Sequence, residues 1–192
     1  MKKLMLYFFG LVVLLSQSSC GYNDMVTLDE QVSGQWGQVQ NAYQRRADLI
    51  PNLVNTVKGA ANFEKSTLEA VINARAKASS INISADDLTP ENIAKYQEAQ
   101  SELSGSLSRL MATVEAYPDL KSNQNFLELQ AQLEGTENRI SVERNKFNQT
   151  VQQYNTYIRS FPRNIYAGWF DFEKKGYFEA EAGAQKAPTV QF

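Results

Sequence analysis

The chain has 192 residues, with 19 basic against 21 acidic side chains, a net charge of −2 and no histidine. This balance leaves no basic footprint for nucleic acid, and without imidazole there is no His-built zinc site and no His-activated nucleophile. The single cysteine, Cys20, cannot form an internal disulfide.

Lys2 and Lys3 precede an apolar run, Leu4 to Leu15, and a small polar stretch then ends at Cys20. That is the three-part layout of a secretory signal, and the run is shorter than the ~20 residues a bilayer-crossing helix needs. Cys20 stands where a bacterial lipoprotein signal places its lipidated residue, with Ser18 and Ser19 before it and Gly21 after, although Gln17 occupies the usual aliphatic position. The expectation is a signal peptide over 1–19 and acylation of Cys20, including an amide-linked chain such as palmitate, on a tether over 20–27. Ordinary cleavage and an uncleaved anchor are the alternatives. Removing 1–19 leaves 17 basic against 21 acidic residues, a net charge of −4, in a length that suits one domain.

From Leu28 the apolar residues Val32, Trp36, Val39, Tyr43, Ala47, Ile50, Val54 and Val57 recur at steps of three and four, one stripe of a helix. Gly34 and Gly37 weaken its early turns. Pro51 lacks a backbone donor and crowds the carbonyl of Ala47, so a kink or break is expected there. The rhythm continues through Leu68, Val71 and Ala78, so the helix either runs bent to about Ser79 or ends at Gly59. Arg45 and Asp48, three apart on its exposed back, are placed to pair.

Residues 79–88 gather serine, asparagine and aspartate and read as a loop. Thr89 as N-cap, Pro90 at the first helical position and Glu91 beside the positive dipole end open a second helix. Ile93, Tyr96, Gln100, Leu103, Leu107, Leu110, Val114 and Tyr117 keep a heptad period until Pro118 and Asp119 stop it. A third helix from near Ser122 carries the same period through Phe126, Leu133, Thr136, Ile140, Arg144, Phe147, Val151, Tyr154, Ile158 and Phe161, a rod of about 60 Å.

Arg144 on that seam must meet a carboxylate or lie at a wet edge, and Glu137 and Asp48 are its candidate partners. The polar seam residues have two readings. One is register control within a bundle; the other is a groove for an anionic ligand lined by Arg46, Arg139 and Arg144 with Asn138 and Asn148.

Seven of the chain's 21 aromatic residues fall between Phe161 and Phe178. A short helix over about Arg163 to Phe170, then an extended segment, then a small, polar, mobile tail over 179–192 are expected. Three passes, up, down and up, would carry Phe161 to the end far from Cys20, where Trp169 and Phe170 either cap the apolar core or form a docking surface for a partner.

Three separated segments, QRRADLIPNLV at Gln44 to Val54 with VKG at Val57 to Gly59, LEGTENRI at Leu133 to Ile140, and YNTYIRSFP at Tyr154 to Pro162, together resemble the LemA family of bacterial envelope proteins. The likeness runs from about Gly21 to Phe192. It implies a mostly helical, membrane-attached protein exposed outside the cytoplasm, and supplies no catalytic residue.

No GxGxxG, Walker or GxSxG pattern is present, and the carboxylates are spread along helix faces. The chain is therefore expected to be no enzyme, with no cofactor or metal. The predicted fold is all-α, an elongated antiparallel up-and-down helical bundle of three long helices, the first kinked, plus a short C-terminal helix, with its domain over 28–178. The predicted function is a lipid-anchored scaffold or protein-binding module of the cell envelope, outside the cytoplasm on the inner or outer membrane, with envelope proteins as partners. The alternative is a small-molecule or anion sensor using the arginine-rich seam, and an enzyme built on spatially paired carboxylates ranks third.

Overall fold

The structure, a computed structural model, describes residues 18–59 and 63–180, with side chains from Gly21 onward. The segment expected to be a signal peptide, apart from the backbone of Ser18 and Ser19, lies outside these residues, as do the Cys20 side chain and most of the expected tail. Six α-helices and no strand occur among the described residues: α1 Ser18–Lys58, α2 Lys65–Ser80, α3 Pro90–Val114, α4 Pro118–Lys121, α5 Gln124–Arg159 and α6 Arg163–Trp169. A single 3-10 turn, Ala85–Asp87, breaks the loop before α3.

The all-α bundle expected from the heptad pattern is present, with one correction that reorganises it. The chain makes four long passes. α1 is continuous through Pro51 and ends at Lys58, so Gly59 makes the turn and α2 runs back as a separate helix. Proline is tolerated mid-helix here for an identifiable reason. Its missing N–H would have bonded the carbonyl of Ala47 four residues earlier, and that carbonyl instead accepts a 2.8 Å hydrogen bond from Arg75 Nε on α2. The packing partner that α2 supplies thus repairs the helix that the sequence pattern alone would break.

The side-chain contacts fix the directions of the passes. Asp24 meets Tyr157 and Gln35 meets Glu143, so α1 and α5 are antiparallel along most of their length. Trp36 donates to the carbonyl of Ile83, which turns α2 antiparallel to α1. Tyr96 packs edge-on against both Trp36 and Tyr43, and Gln100 meets Arg46, which sets α3 parallel to α1. The Thr89 cap read from sequence is present, and the structure adds a second at Asn123. Thr89 accepts from the Asn92 amide at 3.2 Å, and Asn123 caps α5 through the Phe126 amide, also at 3.2 Å.

The predicted seams are buried: Val32, Trp36, Val39, Ile50 and Val57 on α1, Ile93, Leu103 and Leu110 on α3, and Ile140, Phe147, Val151 and Tyr154 on α5. They form two clusters. The half near Gly59 is filled by Ile50, Leu53, Val57, Leu68, Val71, Leu103, Leu110 and Leu133 from four helices. The half near Ser18 is built on Trp36, Tyr43, Tyr96, Phe147, Tyr154 and Phe178. Phe161, the last residue of the predicted α5 seam, lies beyond the core at 81% exposure, because α5 ends at Arg159 and the chain turns away through Ser160 and Pro162.

Candidate interaction surface at the foot of the bundle

Because there are four passes, α5 returns the chain to the end where α1 begins, and the aromatic segment lies beside Tyr22. This overturns the expectation that Phe161 is delivered to the end far from Cys20. The Tyr22 ring lies 4.8 Å from Phe170 and 5.9 Å from Phe172, both edge-on. The expected extended tether over 20–27 is replaced by helix, since Met25 is fully buried and Tyr157 donates a 2.6 Å hydrogen bond to Asp24.

Trp169 and Phe170 do not cap the core: they are 71% and 53% exposed. The chain turns at Asp171, whose φ of 56° is a left-handed conformation that aspartate tolerates better than most residues. It then runs back up the bundle as an extended strap over residues 172–180. The cap is Phe178, 4% exposed, with its ring 6.1 Å from Trp36 and 5.5 Å from Phe147.

An extended segment inside a helical bundle must satisfy its backbone groups without a neighbouring strand. Amide side chains substitute for that strand. Asn155 accepts from the Lys175 N–H at 3.0 Å and donates to the Lys175 carbonyl at 2.9 Å. Asn148 does the same for Phe178, at 2.9 and 2.8 Å, and Gln97 for Glu179, at 2.9 and 3.0 Å. Tyr154 donates to the Glu173 carbonyl, and the Gly176 N–H donates to the Leu88 carbonyl at 2.8 Å. Gly176 is required by close approach, since a Cβ there would fall 2.7 Å from Pro90 Cα. Lys175, mostly buried, bridges Asp29 at 2.8 Å and the Ala85 carbonyl at 3.1 Å.

The arginines expected to line an anion groove do not converge. Arg46 is 1% exposed inside the bundle, where it donates to Glu137 at 2.8 Å, Ser104 at 2.6 Å and the Gln100 side chain at 2.7 Å, with its guanidinium 5.1 Å from the Tyr43 ring. Arg139 pairs with Glu143 at 2.8 Å. Arg144 donates to the Glu179 carbonyl and lies over the Phe178 ring, so it holds the strap, while Glu137, its expected partner, belongs to Arg46. Asp48, the other expected partner, takes a hydrogen bond from Gln44 on the exposed back of α1, where Arg45 is also exposed. Asn138 is exposed on α5, and Asn148 is a strap ligand.

Two buried groups escaped the sequence reading. The Glu143 carboxylate, 2% exposed, accepts from Gln35 at 2.7 Å between α1 and α5. The Gln35 hydrogen bond holds its pKa below the ordinary carboxylate range against the cost of burial, with Arg139 and Lys146 adding to the effect. Asn155, 3% exposed, sits beside the seam residue Tyr154 and looked like an ordinary surface position. Its only signal was an asparagine next to a buried heptad position. Burial also raises the Tyr96 and Tyr154 hydroxyls well above their usual range, so neither offers a base near neutrality. Among the described residues no three His, Cys, Asp or Glu side chains group as metal ligands, and no helix is long and apolar enough to cross a membrane.

Fold and surface together define a class: a four-pass helical bundle sealed by a C-terminal strap, with exposed aromatic side chains at its foot. The chain belongs to the LemA family, whose profile matches residues 35–192. It is 25% identical over 147 residues to Protein LemA of Metamycoplasma hominis, an alignment covering 77% of this chain and 60% of that protein. The chain thus spans less than two thirds of that relative's length. It is 27% identical over 186 residues to Magnetosome protein MamQ 2 of Paramagnetospirillum magneticum, covering 88% of this chain and 68% of that protein. To Magnetosome protein MamQ of Magnetospirillum gryphiswaldense it is 27% identical over 200 residues, covering 95% of this chain and 74% of that protein.

Proposed function

We propose that this protein is a membrane-anchored, extracytoplasmic scaffold of the cell envelope, held through Cys20 and binding other envelope proteins. The observation that carries this reading is α1. Its described part, Ser18–Lys58, is unbroken for 41 residues and runs through both halves of the core. At ~1.5 Å per residue that is a rod of about 60 Å. An anchor at its first turn would therefore fix the whole bundle, with the Gly59 end presented away from the membrane. The relatives named above bear no enzyme names, and the buried Arg46, Glu143 and Asn155 side chains bond within the bundle, which supports a role for the outer surfaces.

The anchor is tested by Cys20→Ser in cells. Loss of the acyl mass and release from, or failed maturation at, the membrane is expected, because stable attachment takes more than one chain. Unchanged mass and fractionation would overturn lipidation in favour of an uncleaved apolar segment. The scaffold is tested by cross-linking in intact cells, which should return the same protein neighbours in repeated experiments. Their absence, with a small anion that raises the melting temperature of the purified protein, would favour the sensor instead.

A further inference from the structure

The short helix α6 is oriented opposite to what its composition asks. Its buried side chain is Ala167, 5% exposed, and Arg163 lies over the Tyr157 ring at 4.1 Å, facing the bundle. Its large apolar residues face outward. Ile165 and Trp169, four residues apart, share one side of α6 at exposures of 44 and 71%, and Phe161, just before the helix, is 81% exposed. Phe170 and Tyr22 extend the patch at 53 and 41%. Apolar rings gathered in this way on a protein surface mark a place that is covered by something.

The position of the patch says what covers it. Tyr22 belongs to α1 and touches Phe170, so the patch surrounds the point where α1 emerges. The sequence leading into α1 carries the twelve-residue apolar run Leu4 to Leu15, and Cys20 stands in the first turn of α1. Cys20 lies two residues before Tyr22, so an acyl chain attached to it would enter the membrane beside Phe170. Aromatic side chains, tryptophan above all, favour the headgroup boundary, where an apolar ring and a polar edge are both satisfied.

We infer that Phe161, Ile165, Trp169 and Phe170 form a second membrane contact, an aromatic foot that rests in the headgroup layer of the bilayer into which the N-terminus is anchored. The inference rests on the anchoring proposed above. It adds that the bundle stands upright on two points, the N-terminus of α1 and the end of α6, and does not swing on one tether. Contact through apolar rings also makes docking insensitive to salt and independent of anionic lipid.

The experiment uses the full chain, purified with its native N-terminus and reconstituted into phosphatidylcholine vesicles. Trp36 is 1% exposed, and it lies about 21 Å further up α1 than Tyr22 at 1.5 Å per residue, so an aqueous or shallow lipid quencher reads Trp169. In vesicles that float with the protein, acrylamide quenching should fall several-fold relative to detergent-free soluble protein, the emission should shift to the blue, and lipid carrying a bromine near the headgroup should quench it. Trp169→Phe should remove all three changes, and raising the salt should alter none.

Flotation with Trp169 still open to acrylamide and untouched by the brominated lipid would overturn the foot while leaving the anchor standing. Failure of the protein to float would overturn the anchor and the foot together. Protection of Trp169 in native membranes but not in vesicles of their extracted lipids would assign the patch to a protein partner and overturn the lipid assignment.

Discussion

The two halves of the bundle are built by different rules. Near Gly59 four helices surround a core of leucine, valine and isoleucine with Phe126 as its one fully buried ring, and heptad spacing is sufficient to specify it. Near Ser18 only α1 and α5 run as long helices to the foot, because α3 starts at Pro90 and contributes only its first turns, Ile93 and Tyr96, with the short α6 adding Ala167. The missing walls are a loop carrying Ile83 and Leu88 and a strap carrying Phe178, and the gaps between such irregular walls are filled by rings. A regular lattice of helices can be packed with aliphatic side chains, whereas an irregular one needs large residues with polar edges to bond stray carbonyls. Trp36, donating to the carbonyl of Ile83 at 3.0 Å while packing on Tyr96, is the clearest case.

Truncation should separate the halves. Phe147→Ala removes a fully buried ring that touches both Trp36 and Phe178, and is expected to cost about 3 to 5 kcal/mol. Leu107→Ala, in the aliphatic half at 8% exposure, should cost about 2 to 3 kcal/mol. Both should shift the denaturant midpoint with the slope unchanged, because α1 and α5 run through both cores and couple them. Two separate transitions in either variant would mean that the halves unfold independently.

The strap sharpens the comparison. In Gly176→Ala the new methyl meets the backbone of Pro90 at van der Waals overlap, so the strap must lift, at about 1 to 3 kcal/mol. Amide hydrogen exchange should accelerate at Gly176, Phe178 and Glu179 and stay unchanged in the aliphatic half at Leu68 and Leu103. Acceleration in both halves alike would show that the strap holds up the whole bundle and not the foot alone.

Acid should act through Glu143, at the edge of the aromatic half. Its pKa in the folded chain lies below the ordinary value of 4.5, so the unfolded chain binds more protons between those two points. The stabilisation is therefore present above about pH 4.5 and is lost as pH falls through the folded value. Glu143→Gln should lower stability at neutral pH and flatten the pH dependence below 4.5, read from denaturant midpoints between pH 7 and pH 3. An unchanged acid limb would assign the loss to other carboxylates. The smallest effect is expected for Lys95→Ala on the exposed face of α3, within about 0.5 kcal/mol of the parent.

Much of this was legible in the residues. The cap at Thr89, the buried seams of α1, α3 and α5, the short helix after Pro162 and the extended segment beyond it all follow from local rules, because capping and periodicity depend on neighbours a few residues away. Of the candidate site residues, Asn148 and Arg144 do bond, but to the strap and not to a ligand. An asparagine on a helix face looks the same whether it faces water or a backbone segment thirty residues further along the chain.

What the sequence determined by itself is an all-α chain with long amphipathic helices, an anchor-like N-terminus and an aromatic cluster after the last long helix. What only the tertiary structure decided is the number of passes, and with it where that cluster lies. The choice turned on Pro51 and Gly59, two residues that each weaken a helix locally. Arg75, twenty-four residues beyond Pro51, supplies the donor that proline lacks, so the helix continues there and breaks at Gly59 instead. A hydrogen bond between distant residues carries no signature in the residues around the break, yet it changes three passes into four and returns the aromatic rings to the end where the chain begins.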